Sequence, residues 1–368
     1  MTATTRWFLV ALGVILIISV PLVIRAIPPQ DSDIDAATLA RQVEASAGVP
    51  YSGYVEAQGT LQLPVASELA ELGPLFGERT RMRVWWRSPE QWRVDNILTT
   101  GETDLIHNAV GTIMWEYEDD QVTSLEDSGI RLPRTSDLIP PELARWLLED
   151  VEETDLARIP PARIAGHDAL GLRVTTASNQ SSIDHVDIWV DPTTGLALRL
   201  SIYGKGETLP ALTSSFMQLS LDVPSSADTT FHTPPGADFT RSDVVDIADA
   251  ANQFAPFVPP RQLDGLKRVE NPELHAVGIY GTGLTQMVAI PLWDRAAGPL
   301  RTQLKATPTA KTTEEGVTIA VGPLTMLLTR FPDDDGGWLL AGTVTEQTLL
   351  QSAHALEHAQ QVEQPRFQ

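Results

Sequence analysis

From residue 51 onward, apolar and polar side chains alternate with a period of two, the pattern of strands that bury one face. The alternation predicts strands over residues 51–63, 80–87, 91–98, 102–107, 112–117 and 121–125. Ser88-Pro89, Thr100-Gly101, Val110-Gly111 and Asp119-Asp120 fall between them as turn signals, so the strands should form an antiparallel meander. The period then breaks. Pro140 and Pro141 open a helix capped by Ser136 or Asp137, with Leu143, Trp146, Leu147 and Val151 as its apolar stripe. Strands resume over 170–176, 183–190, 197–203 and 214–221, two of them joined by the turn Asp191-Pro192-Thr193-Thr194-Gly195. A short amphipathic helix over 38–47, with Leu39 and Val43 on one face, precedes the sheet. The class is α+β and mostly antiparallel β: a large, curved or partly closed sheet with covering helices.

The Pro-rich, aromatic stretch 254–260 marks a boundary. Beyond it, strands are predicted over 276–279, 285–291, 316–321, 324–330 and 338–343, then a helix from Glu346 to about Ala359 capped by Thr345. This is a smaller C-terminal α+β domain. The domain plan is an N-terminal anchor (1–25), a tether (26–36), a large domain (37–250), a linker (251–262), the small domain (263–360) and a disordered tail (361–368).

Residues 7–24 carry no charge over 18 positions, which at about 1.5 Å per residue is roughly 27 Å, close to a bilayer's hydrocarbon thickness. Read as a transmembrane helix with Arg6 on the cytoplasmic side, they place the chain in a cell membrane as a single-pass protein with an extracytoplasmic ectodomain. The rival is a cleaved signal peptide, for which Ile24-Arg25-Ala26-Ile27 is a poor cleavage site. Net charge is −22, which repels phosphate backbones and argues against nucleic acid as a partner. The chain has no cysteine, so disulfides, thiolate catalysis and Cys-held zinc are excluded.

Alternation groups the apolar side chains by face. Met82, Val84 and Trp86 share one; so do Trp92 and Val94, Ile113 and Trp115, and Val186 and Ile188. With Leu143, Trp146 and Leu147 from the helix as a lid, these residues are the candidates for a cavity that takes alkyl chains. Alternation alone does not say which face is concave. Arg79, Arg81, Arg83, Arg87 and Arg93 cluster on neighbouring strands and suit cross-strand pairing with acids. His354 and His358 have metal-capable spacing but no third ligand, and Gly281-Thr282-Gly283 reads as a turn. No nucleophile, base and orienter come together, so no catalytic residue, metal or cofactor is assigned and the chain is not read as an enzyme.

Several segments resemble a known family. They are the run from Arg81 through Trp85-Trp86-Arg87-Ser88-Pro89-Glu90-Gln91-Trp92 to Val94, then Ile164-Ala165-Gly166-His167-Asp168-Ala169, Ile188-Trp189-Val190-Asp191 and Thr194-Gly195-Leu196, and finally Phe231 with Pro234-Pro235-Gly236-Ala237. In order they resemble the lipoprotein-carrier superfamily of LolA and LolB, and within it the RseB/MucB sigma-E regulatory proteins. Tyr280-Gly281-Thr282-Gly283-Leu284-Thr285 and the run from Gly337 and Trp338 to Thr345 resemble the small RseB domain, so the likeness spans roughly residues 38–358. It implies a LolA-like half-barrel that holds a lipid or acyl chain, and contact with an anti-sigma factor or other membrane protein. A lipid or lipoprotein carrier is the alternative, and a hydrolase a remoter one.

Overall fold

The computed structural model describes residues 5, 7, 28–61, 72–125, 133–241, 259–270, 276–330 and 336–359. Its centre is a twelve-stranded sheet. The strands are β1 (Tyr51–Gly59), β2 (Arg79–Ser88), β3 (Gln91–Ile97), β4 (Glu102–Asn108), β5 (Gly111–Glu116), β6 (Gln121–Leu125), β7 (Leu156–Ile164), β8 (His167–Thr175), β9 (Ile183–Val190), β10 (Ala197–Gly204), β11 (Leu212–Ser220) and β12 (Asp238–Arg241). Their order is β12-β6-β5-β4-β3-β2-β1-β11-β10-β9-β8-β7, two meanders joined through β1 and β11. Every ladder is antiparallel except β12, which lies parallel to β6. The edge strand β7 contacts β11, four places away in the ladder, so the sheet curls without closing. The expected α+β class with a curved, mostly antiparallel sheet is what the chain adopts.

Two helices cover one face. Helix α1 (Ala36–Ala45) is capped by Asp35, whose Oδ1 accepts from the Thr38 amide at 2.8 Å, and it buries Leu39, Ala40 and Val43. Between β1 and β2 runs α2 (Leu72–Gly77), and α3 (Pro140–Leu148) packs over β10 and β11. The turn after β9 locks α1 to the sheet. Asp191 Oδ1 accepts from the amides of Thr193 and Thr194, and Gly195 sits at φ +76°, where a Cβ would fall on the Gln42 carbonyl of α1.

The smaller sheet has the order β15-β16-β20-β19-β18-β17, built from β15 (Gly278–Thr282), β16 (Thr285–Leu292), β17 (Lys311–Thr312), β18 (Gly316–Val321), β19 (Leu324–Thr329) and β20 (Gly337–Gly342). A two-stranded ribbon, β13 (Gln262–Leu263) with β14 (Leu266–Lys267), precedes it. Helix α4 (Asp294–Ala306) packs Ala297, Leu300 and Leu304 on one face, while Leu349, Ala353 and Leu356 of α5 (Glu346–Ala359) pack on the other. The turn between β8 and β9 ties the two sheets together. Ser181 bridges to Val344, the Thr345 amide donates to the Gln180 carbonyl at 2.7 Å, and Gln180 Nε2 donates to Asp264.

The expected placement in a cell membrane is overturned. Among the described residues no helix is long and apolar enough to cross a membrane. Apart from Trp7, the segment 7–24 read as the anchor lies outside the described residues, as do most of the linker and the tail from residue 360.

Candidate ligand-binding face

Register decides which side chains share a face, because residues directly opposed on neighbouring strands project to the same side. Met82, Val84 and Trp86 of β2 oppose Asn96, Val94 and Trp92 of β3. Through β1, β11 and β10, the same side reaches Val186 and Ile188 of β9. This is the inner face. Leu143 and Leu147 of α3 and Leu39 and Val43 of α1 point into it, making one apolar cluster with Met82, Val84, Trp86, Val94, Val186 and Ile188. Nine of the twelve expected ligand residues are thus brought together, counting Trp92 at the cluster's margin.

The other three are not. Trp115 opposes Asp104 and Val122, and Ile113 opposes Ile106 and Ser124, which places both on the outer face. There they form a separate small cluster with Ile106, Val122, Phe231 and Ala237. Ile113 and Trp115 do share a face, as alternation predicts, but only the pairing to β4 shows that this face is opposite to that of Trp86. Trp146 is 52% exposed. The buried stripe of α3 is Leu143, Ala144, Leu147 and Leu148, and Trp146 lies off it; Val151 falls beyond the helix end.

Four residues that the sequence reading did not single out complete the site. Tyr51 stacks on Trp86 with ring centroids 6.0 Å apart, Trp86 on Trp92 at 5.9 Å, and Trp92 on His107 at 5.3 Å. The result is one aromatic ladder across β1 to β4. Phe216 meets Tyr51 edge-on at 5.6 Å. Arg145 of α3, paired with Glu142, stands over the Trp86 ring with its guanidinium carbon 5.9 Å from the centroid. Only the aromatic residue types were visible in the sequence; the stack itself depends on register.

The interior here is apolar, yet not fully satisfied. Trp86 Nε1 donates to the Ala47 carbonyl at 3.0 Å, but the Tyr51 hydroxyl is buried with no hydrogen-bond partner. Burial pushes the Tyr51 hydroxyl well above its usual range and pushes Arg145 down. The rings thin out toward solvent at Trp92 and His107, both only part-buried.

One carboxylate group could hold a cation by donor type. Ligand atoms of Asp95, Glu102 and Asp104, on the outer face, lie within 4.8 Å of one another. Arginines already occupy that position. Arg93 Nε donates to Asp95 at 2.5 Å and its Nη2 to Asp104 at 2.7 Å, while Arg83 Nη2 donates to Glu102 at 2.5 Å.

No protein-family model matches the chain. No curated protein matches it either. Among solved structures it is similar to MucB in complex with MucA(peri), at 18% identity and TM-score 0.47, over 87% of this chain and 97% of that one. It is also similar to the MucA/MucB complex of Pseudomonas aeruginosa, at 19% identity and TM-score 0.47, over 86% and 95%. A LolA superfamily protein of Nitrosomonas europaea is similar over 54% of this chain and 98% of its own, at 12% identity and TM-score 0.23.

Proposed function

We propose that the chain is a binding protein of the regulator or carrier type, which takes an acyl chain or similar apolar ligand between α3 and the inner face of the large sheet. The observation that carries the reading is the Tyr51 hydroxyl, unpartnered in an apolar interior beside Arg145 and roofed by a helix of only nine residues. An unsatisfied buried hydroxyl is costly, and a ligand headgroup that reached it would remove the cost. The apolar face below supplies the remainder. Each methylene buried there contributes about 0.8 kcal/mol, so roughly eight give about 6 kcal/mol before the costs of association and of lifting α3. Contact with a partner protein such as an anti-sigma factor, which the sequence resemblance implies, belongs to the same proposal, and the reading is non-enzymatic.

Palmitate titrated into the full chain should bind saturably with micromolar affinity and change tryptophan emission. Trp92→Ala, at the open end of the ladder, should weaken binding about tenfold. The reading fails if palmitate does not bind and protein from its native host carries no lipid by native mass spectrometry.

A further inference from the structure

On the outer face, β1, β2 and β9 to β11 frame an open groove of about 440 Å³. That is within the roughly 300–1,000 Å³ of small-molecule sites. Its floor is polar. Ser201 and Thr213 oppose one another across β10 and β11, as do Arg199 and Ser215. Arg199 Nε donates to Ser215 Oγ at 3.1 Å, and the guanidinium carbon lies 5.9 Å over the Trp189 ring.

No carboxylate among the described residues pairs with Arg199. Nearby acids are committed elsewhere. Asp187, opposite Ser201, holds Arg173 through two bonds of 2.6 and 2.8 Å, and Glu56 faces Arg79 at 3.9 Å. Burial alone pushes the guanidinium below its ordinary range. A half-buried cation without a counter-charge is costly, and a chain with 48 acidic residues against 26 basic ones has no shortage of acids to neutralise it.

We propose that this groove binds a small organic anion: an oxyanion, carboxylate or phosphate, joined to a flat apolar body. The oxyanion pairs with the two Nη groups of Arg199, which make no hydrogen bond among the described residues. The Ser201 and Thr213 hydroxyls, 3.1 Å apart, share one donor between them and offer the other to the anion. The apolar body lies along Trp189, with Met217 at the rim. The site is on the opposite side of the sheet from the acyl-chain face and does not depend on it.

Calorimetric titration of the full chain with benzoate, benzamide and inorganic phosphate tests the proposal. Benzoate should bind saturably in the millimolar range or tighter, and neutral benzamide at least about tenfold more weakly, because the charge-assisted bonds are lost. Inorganic phosphate should bind more weakly than benzoate, since it leaves Trp189 uncovered. Phenyl phosphate against benzoate then tells which oxyanion the groove prefers. Arg199→Gln should weaken benzoate by about tenfold or more, while Arg199→Lys should recover only part of that loss, because an ammonium keeps the charge but not the two-pronged fork. Benzamide equal to benzoate, phosphate equal to benzoate, or a folded Arg199→Gln that binds as the parent does would each overturn it.

Discussion

Replacing Asp104 by Asn should flatten the chain's pH dependence of stability. Asp95 and Asp104 are directly opposed on β3 and β4, exposed by only 1% and 5%. With Glu102 they bring three carboxylates against two guanidinium groups, Arg83 and Arg93. One negative charge is therefore in excess, and Asp104 Oδ1 is buried with no partner. Burial first, then the Asp95 charge, push the Asp104 carboxyl from 3.8 up to about 7; burial also raises Asp95. The folded chain thus holds this proton more tightly than the unfolded chain does. The stabilisation is complete below pH 3.8 and is lost as pH rises through about 7. From 3.8 to about 7 is roughly three pKa units, which at ~1.4 kcal/mol each gives ~4 kcal/mol. Asn keeps the shape and carries no proton to lose.

Urea unfolding of parent and variant, followed by tryptophan emission at several pH values from 4 to 8, measures the difference directly. A constant offset from altered bonds to Arg93 cancels when only the change with pH is read. Relative to the parent, the variant should gain about 2–4 kcal/mol across that window. A difference that stays flat with pH would show that the arginines already hold Asp104 ionised, and the charge count would be wrong.

Tyr51→Phe should raise stability by about 1 kcal/mol in the ligand-free chain, because it deletes a buried hydroxyl without a partner. A drop in melting temperature would show that the hydroxyl is satisfied. Gly195→Ala should cost about 2–4 kcal/mol, since the left-handed backbone and the collision with the Gln42 carbonyl add. Gly206→Ala, at φ +79° with nothing within 4 Å, should cost only about 1 kcal/mol. Equal melting temperatures for the two glycine variants would remove the claim that the β9–β10 turn clamps α1.

Most strands were legible because turn residues punctuate a period-two pattern, and the helix over Glu346–Ala359 because Thr345 caps it, its Oγ1 accepting from the Thr348 amide at 3.3 Å. What escaped had contrary local signals. Strand β7 contains Pro160 and Pro161, which a central strand would not tolerate. It is the sheet's edge, and its register shifts between Ile159 and Ala162, so the missing amides cost no ladder bonds. Helix α4 contains Gly298 and Pro299, yet Pro299 falls in its second turn, and Ala297, Leu300 and Leu304 bury its stripe. Strand β12 pairs in parallel with a strand more than a hundred residues earlier, which no local pattern announces.

The misplacement of Trp115 and Ile113 has a more general cause. Within one strand, parity sorts side chains into two faces, but it does not say which face matches which on the next strand. A bulge changes that correspondence, and one occurs on β2, where Trp86 pairs with Trp92 and Ser88 with Gln91 so that Arg87 is left over. The face of each later strand therefore depends on the register of its pairing with the one before, and the pairings Trp92 with His107 and His107 with Thr112 set Trp115 opposite to Trp86. The same dependence hid the outer groove. Arg199, Ser201 and Tyr203 on one strand read as an ordinary solvated face, and so do Thr213, Ser215 and Met217 on another. Only when the ladder sets Arg199 beside Ser215 and Trp189 does a cation without a carboxylate come to lie against a ring and a row of hydroxyls. One sheet then presents two chemically opposite surfaces, apolar under the helices and cationic at the groove, and a substitution on one should leave ligand binding on the other unchanged.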